Sequence, residues 1–220
     1  MDYKVEKSPA YSILKVSLDP GESITIEAGS YMLHKGNVKI ETTTGGVLSA
    51  IARAVAGGES LFLDKITALT PSEVWIAPNV PGDIVAIDVD GELIVQDTGY
   101  LAHAGGFDIG IAWRGLRGLL AEGELFWLRL TGKGTVFVNS YGAIEELVLK
   151  PGEKATIDNF HLVAMEPSVK WSIKTFSGLK STILGGEGLV VEVEGPGKLW
   201  VQTRILPVFA QILSKYIRVK

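Results

Sequence analysis

The chain has 220 residues, 46% of them hydrophobic and 21% charged, with 25 acidic against 21 basic residues and no cysteine. This is a globular composition that excludes a disordered chain, and its net charge of −4 lacks the positive field with which nucleic-acid binders displace phosphate counterions. The missing cysteines exclude disulfides, thiolate metal sites and cysteine nucleophiles, and fit a reducing compartment.

The opening MDYKVEKSPAYSILKV scatters its charges and has no apolar centre, so no secretory signal is expected. No apolar run approaches the roughly 18 to 20 residues that a membrane-spanning helix needs. The expectation is a soluble, cytoplasmic protein.

Ser12 to Leu18 alternates apolar and polar positions and predicts a strand running into a turn at Asp19-Pro20-Gly21-Glu22. Ser23 to Glu27 predicts the next strand, with Ile24 and Ile26 on one face, and Val38 and Ile40 mark another. Val47 to Ala56 changes to helical period before Gly57-Gly58 ends it. Strands are then expected at Leu61 to Ile66 and Val74 to Ala77. The middle third predicts strands at Ile84 to Val89 and Leu93 to Gln96, separated by a turn at Asp90-Gly91-Glu92. Phe107 to Ala112 follows as a strand, then a helix-like connector over Trp113 to Ala121. The last third opens with Leu147 to Leu149 and the turn Pro151-Gly152-Glu153. It continues through Ala155 to Ile157, Val169 to Thr175, a connector at Leu179 to Leu184 and a closing hairpin.

That closing hairpin, Gly185 to Thr203, is written more than once. Glu122 to Ser140 lies over it without a gap, so that Gly132 and Gly134 fall on Gly195 and Gly197, and Val136-Phe137-Val138 on Leu199-Trp200-Val201. A looser copy starts at Gly57 and ends in Val74-Trp75-Ile76. Fixed-offset self-similarity signals a repeat architecture. A unit of about 65 residues buries too little surface to be comfortable alone. The expected fold is therefore all-β: one body over 1–204 made of three repeats (about 10–78, 79–142 and 143–204) with pseudo-threefold symmetry. Over 205–220, Val208, Phe209, Ile212, Leu213, Tyr216 and Ile217 make one apolar stripe behind Pro207, which predicts a C-terminal amphipathic helix from Leu206 to Val219.

Gly185-Gly186-Glu187-Gly188 followed by GPGKLWVQT, the stretch Asp158 to Ala164 (DNFHLVA), and Pro81-Gly82-Asp83-Ile84-Val85-Ala86 together resemble the altered-inheritance-of-mitochondria family, member twenty-four. The resemblance runs from about Val16 to Arg204. It implies a fold similar to the tryptophan RNA-binding attenuation protein (TRAP), with TRAP-like β-sandwich or double-stranded β-helix units repeated three times and a tendency to form trimers or rings. Mitochondrial relatives are associated with inner-membrane organisation. The absence of a presequence here means that this role is not expected to carry over.

No residue set announces a reaction. His34 and His103 follow Tyr31 and Tyr100 at matching places, with Ala164 in the third copy. His161 is expected to donate to a backbone carbonyl at a strand edge. No His-x-His pair offers converging metal ligands. Glu22, Glu92 and Glu153, and separately Glu59, Glu124 and Glu187, recur by the repeat. They read either as a carboxylate ring able to hold a cation or as turn chemistry, and turn chemistry is favoured. Trp75, Phe137 and Trp200 recur as well, to line a pocket or, as expected, to pack a shared core. The glycine pairs lack the Lys-Ser or Lys-Thr ending of a phosphate loop, and there is no Gly-x-Ser-x-Gly elbow.

The expectation is thus a non-enzymatic scaffold that forms a homo-oligomer through its β body, with no catalytic, cofactor-binding or metal residues, no cofactor and no nucleic-acid partner. One alternative is a small-molecule or metal binder, or an enzyme, with a pocket between repeats that uses His34, His103 or the glutamates. Another is a peripheral membrane protein acting through the C-terminal helix, with Arg204, Lys215, Arg218 and Lys220 near it.

Overall fold

Strand follows strand because β-branched and aromatic residues alternate with polar ones between turns that carry Gly and Pro. The structure, a computed structural model, describes residues 1–43, 62–114, 126–175 and 189–217. The first seven strands are β1 (Asp2–Glu6), β2 (Ile13–Leu18), β3 (Ser23–Glu27), β4 (Tyr31–Lys35), β5 (Val38–Thr43), β6 (Leu63–Ala68) and β7 (Ser72–Ile76). Three long ones follow: β8 (Ile84–Gln96), β9 (Tyr100–Arg114) and β10 (Phe126–Asn139). The last six are β11 (Ile144–Leu149), β12 (Lys154–Asp158), β13 (Leu162–Met165), β14 (Lys170–Thr175), β15 (Leu189–Glu194) and β16 (Gly197–Gln202). The fold is mostly β, as expected. The predicted helical segment Val47 to Ala56 and the connector Leu179 to Leu184 lie outside the described residues. Trp113 and Arg114 end β9 rather than opening a connector, and the rest of that connector is also outside.

The strands form three sheets, ordered β1-β2-β7-β4, β11-β16-β13-β8-β10-β9-β3-β6-β5 and β12-β15-β14. The expected turn at Asp90-Gly91-Glu92 is not a turn. β8 runs straight through it, with Gly91 opposite Gly132 of β10. On its other side β10 sets Gly134 opposite Gly105 of β9. A Cβ on Gly134 would stand 2.1 Å from the Ala104 carbonyl oxygen, at a φ of +149°. Glycine therefore lets the three long strands approach closely here without breaking.

Because side chains alternate across a strand, neighbouring residues of β10 serve different cores. Trp127 packs with Leu162, Met165, Val191 and Leu199. Val136 packs with Tyr100, Leu128 and Val95, while Phe137 packs with Leu14, Ile24, Ile66 and Val74. The long strands thus tie three hydrophobic clusters into one body.

The helix α1 (Leu206–Ser214) is shorter than predicted, and Tyr216 and Ile217 lie beyond it. None of its residues is buried. Phe209 reaches back to the ring of Tyr141, at 5.7 Å between centroids.

Candidate functional site

The repeated glutamates do turn work. In the turn between β2 and β3, Glu22 accepts a hydrogen bond from the Asp19 amide at 2.9 Å. In the turn between β11 and β12, Glu153 accepts one from the Lys150 amide at 2.8 Å. The glycine of each turn, Gly21 (φ +90°) or Gly152 (φ +78°), donates to the far hairpin, at Ala68 or Gly195. Glu92 lies within a strand instead and pairs with Arg129 at 3.4 Å. The glutamates Glu59, Glu124 and Glu187 lie outside the described residues. Among the described residues no group of three His, Asp or Glu side chains is placed to hold a metal ion.

The histidines are structural partners. The Tyr100 hydroxyl lies 2.7 Å from Nδ1 of His103, and the Tyr31 hydroxyl keeps the same 2.7 Å from Nδ1 of His34. The first pair is buried, with Tyr100 at 0% and His103 at 6% exposure, whereas Tyr31 is 39% exposed. Burial lowers the pKa of His103 to about 4, because an imidazolium there would lose its hydration. Met165, not Ala164, holds the third position. Pairing between β13 and β16 skips Val163, as pairing of β9 skips Leu101, and this moves the match one residue on. His161 pairs through Nδ1 with the Gln202 carbonyl at 2.6 Å, and its ring N–H is the donor to that oxygen.

Phe137 and Trp200 are core residues, buried to 0% and 4% exposure. Trp75 departs from them. It is half-buried, the Lys15 ammonium sits 3.8 Å above its ring, and its indole N–H donates to Glu73 at 2.6 Å.

A polar knot escaped the sequence reading. Asp83, at the end of the Pro-Gly-Asp motif, accepts from the Ser12 hydroxyl at 2.8 Å and from the Ile84 amide at 2.8 Å. Its own amide donates to the Gly142 carbonyl at 3.0 Å. The Ser140 hydroxyl donates to that same carbonyl at 2.6 Å. Ser12, Asp83 and Ser140 are all buried and come from three distant parts of the chain. Only the strand-opening Pro-Gly-Asp signalled it.

Among the described residues six strands end a sheet, β1, β4, β5, β11, β12 and β14. Among the described residues, β4 has one neighbouring strand, β7, and β12 has one, β15. Tyr31 and Met32 of β4 are 39% and 47% exposed, while Tyr100 and Leu101 of β9, flanked on both sides, are at 0%.

A family model described as "Mitochondrial biogenesis AIM24" matches residues 3–204. An uncharacterised protein of Streptococcus pyogenes is 29% identical over 227 residues, covering 99% of this chain and 91% of that protein. The altered inheritance of mitochondria protein 24 of Verticillium alfalfae, described as mitochondrial, is 28% identical over 76% of this chain. That match takes in 44% of the fungal protein's length. A crystal structure of a Streptococcus pyogenes protein superposes with a TM-score of 0.83 at 30% identity, covering 98% of this chain and 99% of that one.

Proposed function

The chain belongs to the Mitochondrial biogenesis AIM24 family, and on that premise we propose that it is a non-enzymatic scaffold that self-associates through its β body. The observation that carries this reading is apolar surface left open on the body. Tyr31 and Met32 on β4, and Val208, Phe209, Ile212 and Leu213 on α1, are all between 39% and 49% exposed. Exposed apolar side chains of this kind are what a contact surface is made from. The candidate chemical groups, in contrast, serve the fold: His103 is held by Tyr100, Asp83 by Ser12, and Glu153 by the turn it closes.

The body is proposed to be three units, about 10–78, 79–142 and 143–204, related by a pseudo-threefold axis and folded like the tryptophan RNA-binding attenuation protein. Support comes from the matching hydrogen bonds of Glu22 and Glu153. It comes also from the recurring bulges that skip Met32, Leu101 and Val163. The assembly is a trimer or larger ring without nucleic acid, and the cysteine-free composition supports a reducing compartment such as the cytoplasm. Light scattering on the full chain and on a chain lacking 205–220 tests this. An oligomer in both supports assembly through the β body, and a monomer in both overturns it.

A second reading rests on α1, whose Leu206, Val208, Phe209, Ile212 and Leu213 are each 39% to 49% exposed. Among the described residues no helix is long and apolar enough to cross a membrane. A helix of this kind can still lie on a membrane surface. Unchanged co-sedimentation with liposomes after deletion of Leu206 to Lys220 would remove this reading.

A further inference from the structure

A 3-10 turn joins β12 to β13, and its first residue is Asn159. Asp158 fixes the turn by accepting from the Phe160 amide at 2.9 Å. The Asn159 carbonyl accepts from Nε2 of Gln96 at 3.3 Å, beside the seam where β8 meets β13. Held in this way, Asn159 is 0% exposed. Its carboxamide is nevertheless open: neither Oδ1 nor Nδ2 has a hydrogen-bond partner among the described residues.

Gln96 belongs to a longer chain of bonds. Its Oε1 accepts from the Thr98 hydroxyl at 3.4 Å, and the Thr98 carbonyl accepts from Nδ2 of Asn139 at 3.3 Å. Gln96 and Asn139 are 2% and 3% exposed, and Oδ1 of Asn139 also has no partner among the described residues. Three open polar atoms therefore stand on one buried network. An amide buried without a partner loses its hydration and gains nothing in return, so such groups in folded proteins pair with protein or with internal water. Space around the network is small. A Cβ on Gly99 would stand 3.0 Å from Cγ1 of Val163 and 3.7 Å from the Asn139 carbonyl oxygen.

We infer that the Asn159 carboxamide binds an internal water at the end of this seam. One water closes a ring on one side of an amide, accepting from Nδ2 and donating to Oδ1. That leaves it a hydrogen and a lone pair for other polar groups, as internal waters need. A cation would leave the donor Nδ2 unpaired, and an apolar guest would satisfy neither atom. Direct pairing across the seam is short, with Val95 opposite Ala164 and Ile94 opposite Met165. The water thus adds a polar tie where the strands supply few. The site goes beyond the scaffold reading and stands whether or not copies of the chain associate.

A high-resolution crystal structure of the full chain reads the site with no substitution. One solvent peak should lie about 2.7–3.2 Å from both Oδ1 and Nδ2 of Asn159. A carboxamide turned onto protein groups, with no peak beside it, overturns the inference. So does a peak ringed by oxygens that Nδ2 avoids, which marks a metal ion, and so does density too large for a water. Oxygen-17 relaxation dispersion gives a count in solution, since only waters held for longer than the tumbling time contribute. Asn159→Leu fills the same space with apolar atoms and should lower that count by about one per chain. An unchanged count in the folded variant overturns the inference. If Asn159→Leu does not fold, the native chain's solvent peak decides.

Discussion

The hydroxyl of Tyr100 meets Nδ1 of His103 at 2.7 Å inside the seam where His103 lies opposite Thr25 of β3. Burial holds the His103 pKa near 4, against an ordinary value of 6.5. The unfolded chain therefore takes up a proton near pH 6.5, while the folded chain does so only near 4. Stability is complete above that upper value and is lost as pH falls through the interval, by roughly 3 kcal/mol in total. Urea unfolding at pH 7 and at pH 4.5 should show this loss in the native chain. In His103→Gln, which keeps a polar partner for Tyr100 and does not titrate, most of it should disappear.

Asp83 serves two donors with one carboxylate oxygen, the Ser12 hydroxyl and the Ile84 amide. Asp83→Ala strands both in a buried place and should cost about 3 kcal/mol. Asp83→Asn keeps an acceptor oxygen and should cost less than half as much. Denaturant midpoints of the two variants measured side by side check this order.

Gly134→Ala should destabilise by about 3 kcal/mol, since the added methyl meets the Ala104 carbonyl and the backbone angle disfavours any side chain. Gly91→Ala is the control, because a Cβ there meets nothing within 4 Å and only the φ of +128° opposes it. A thermal shift for Gly91→Ala as large as that for Gly134→Ala would contradict this account.

Lys15→Gln should cost about 1 kcal/mol or less, by removing the ammonium from the face of Trp75 and from its ion pair with Glu6 at 2.9 Å. A thermal melt reads the cost, and Trp75→Leu in the Lys15→Gln background should add little beyond its own packing loss.

Alternation made the outer strands legible. Ser23 to Glu27 is β3 from end to end, since Ile24 and Ile26 face one core while Thr25 does not. β13 escaped because Leu162, Val163, Ala164 and Met165 are all buried, so that no period of two is left to read. The turn expected at Gly91 is continuous strand within β8 because the glycines packed around it are supplied partly by β9 and β10, a relation between distant residues. The same holds for Ser12 and Ser140, whose bonds around Asp83 depend on the fold and not on spacing. The matching places of Tyr31–His34 and Tyr100–His103 were visible in the sequence. What it withheld was that one pair is sealed and the other is open, and that depends on which strand has a second neighbour.

The outer strands are broken at turns where the middle ones run on: β2 and β3 are separate, as are β15 and β16, while β8 and β10 have 13 and 14 residues without interruption. Under load, the short outer strands, each interrupted by a turn, would part before the continuous β8 and β10.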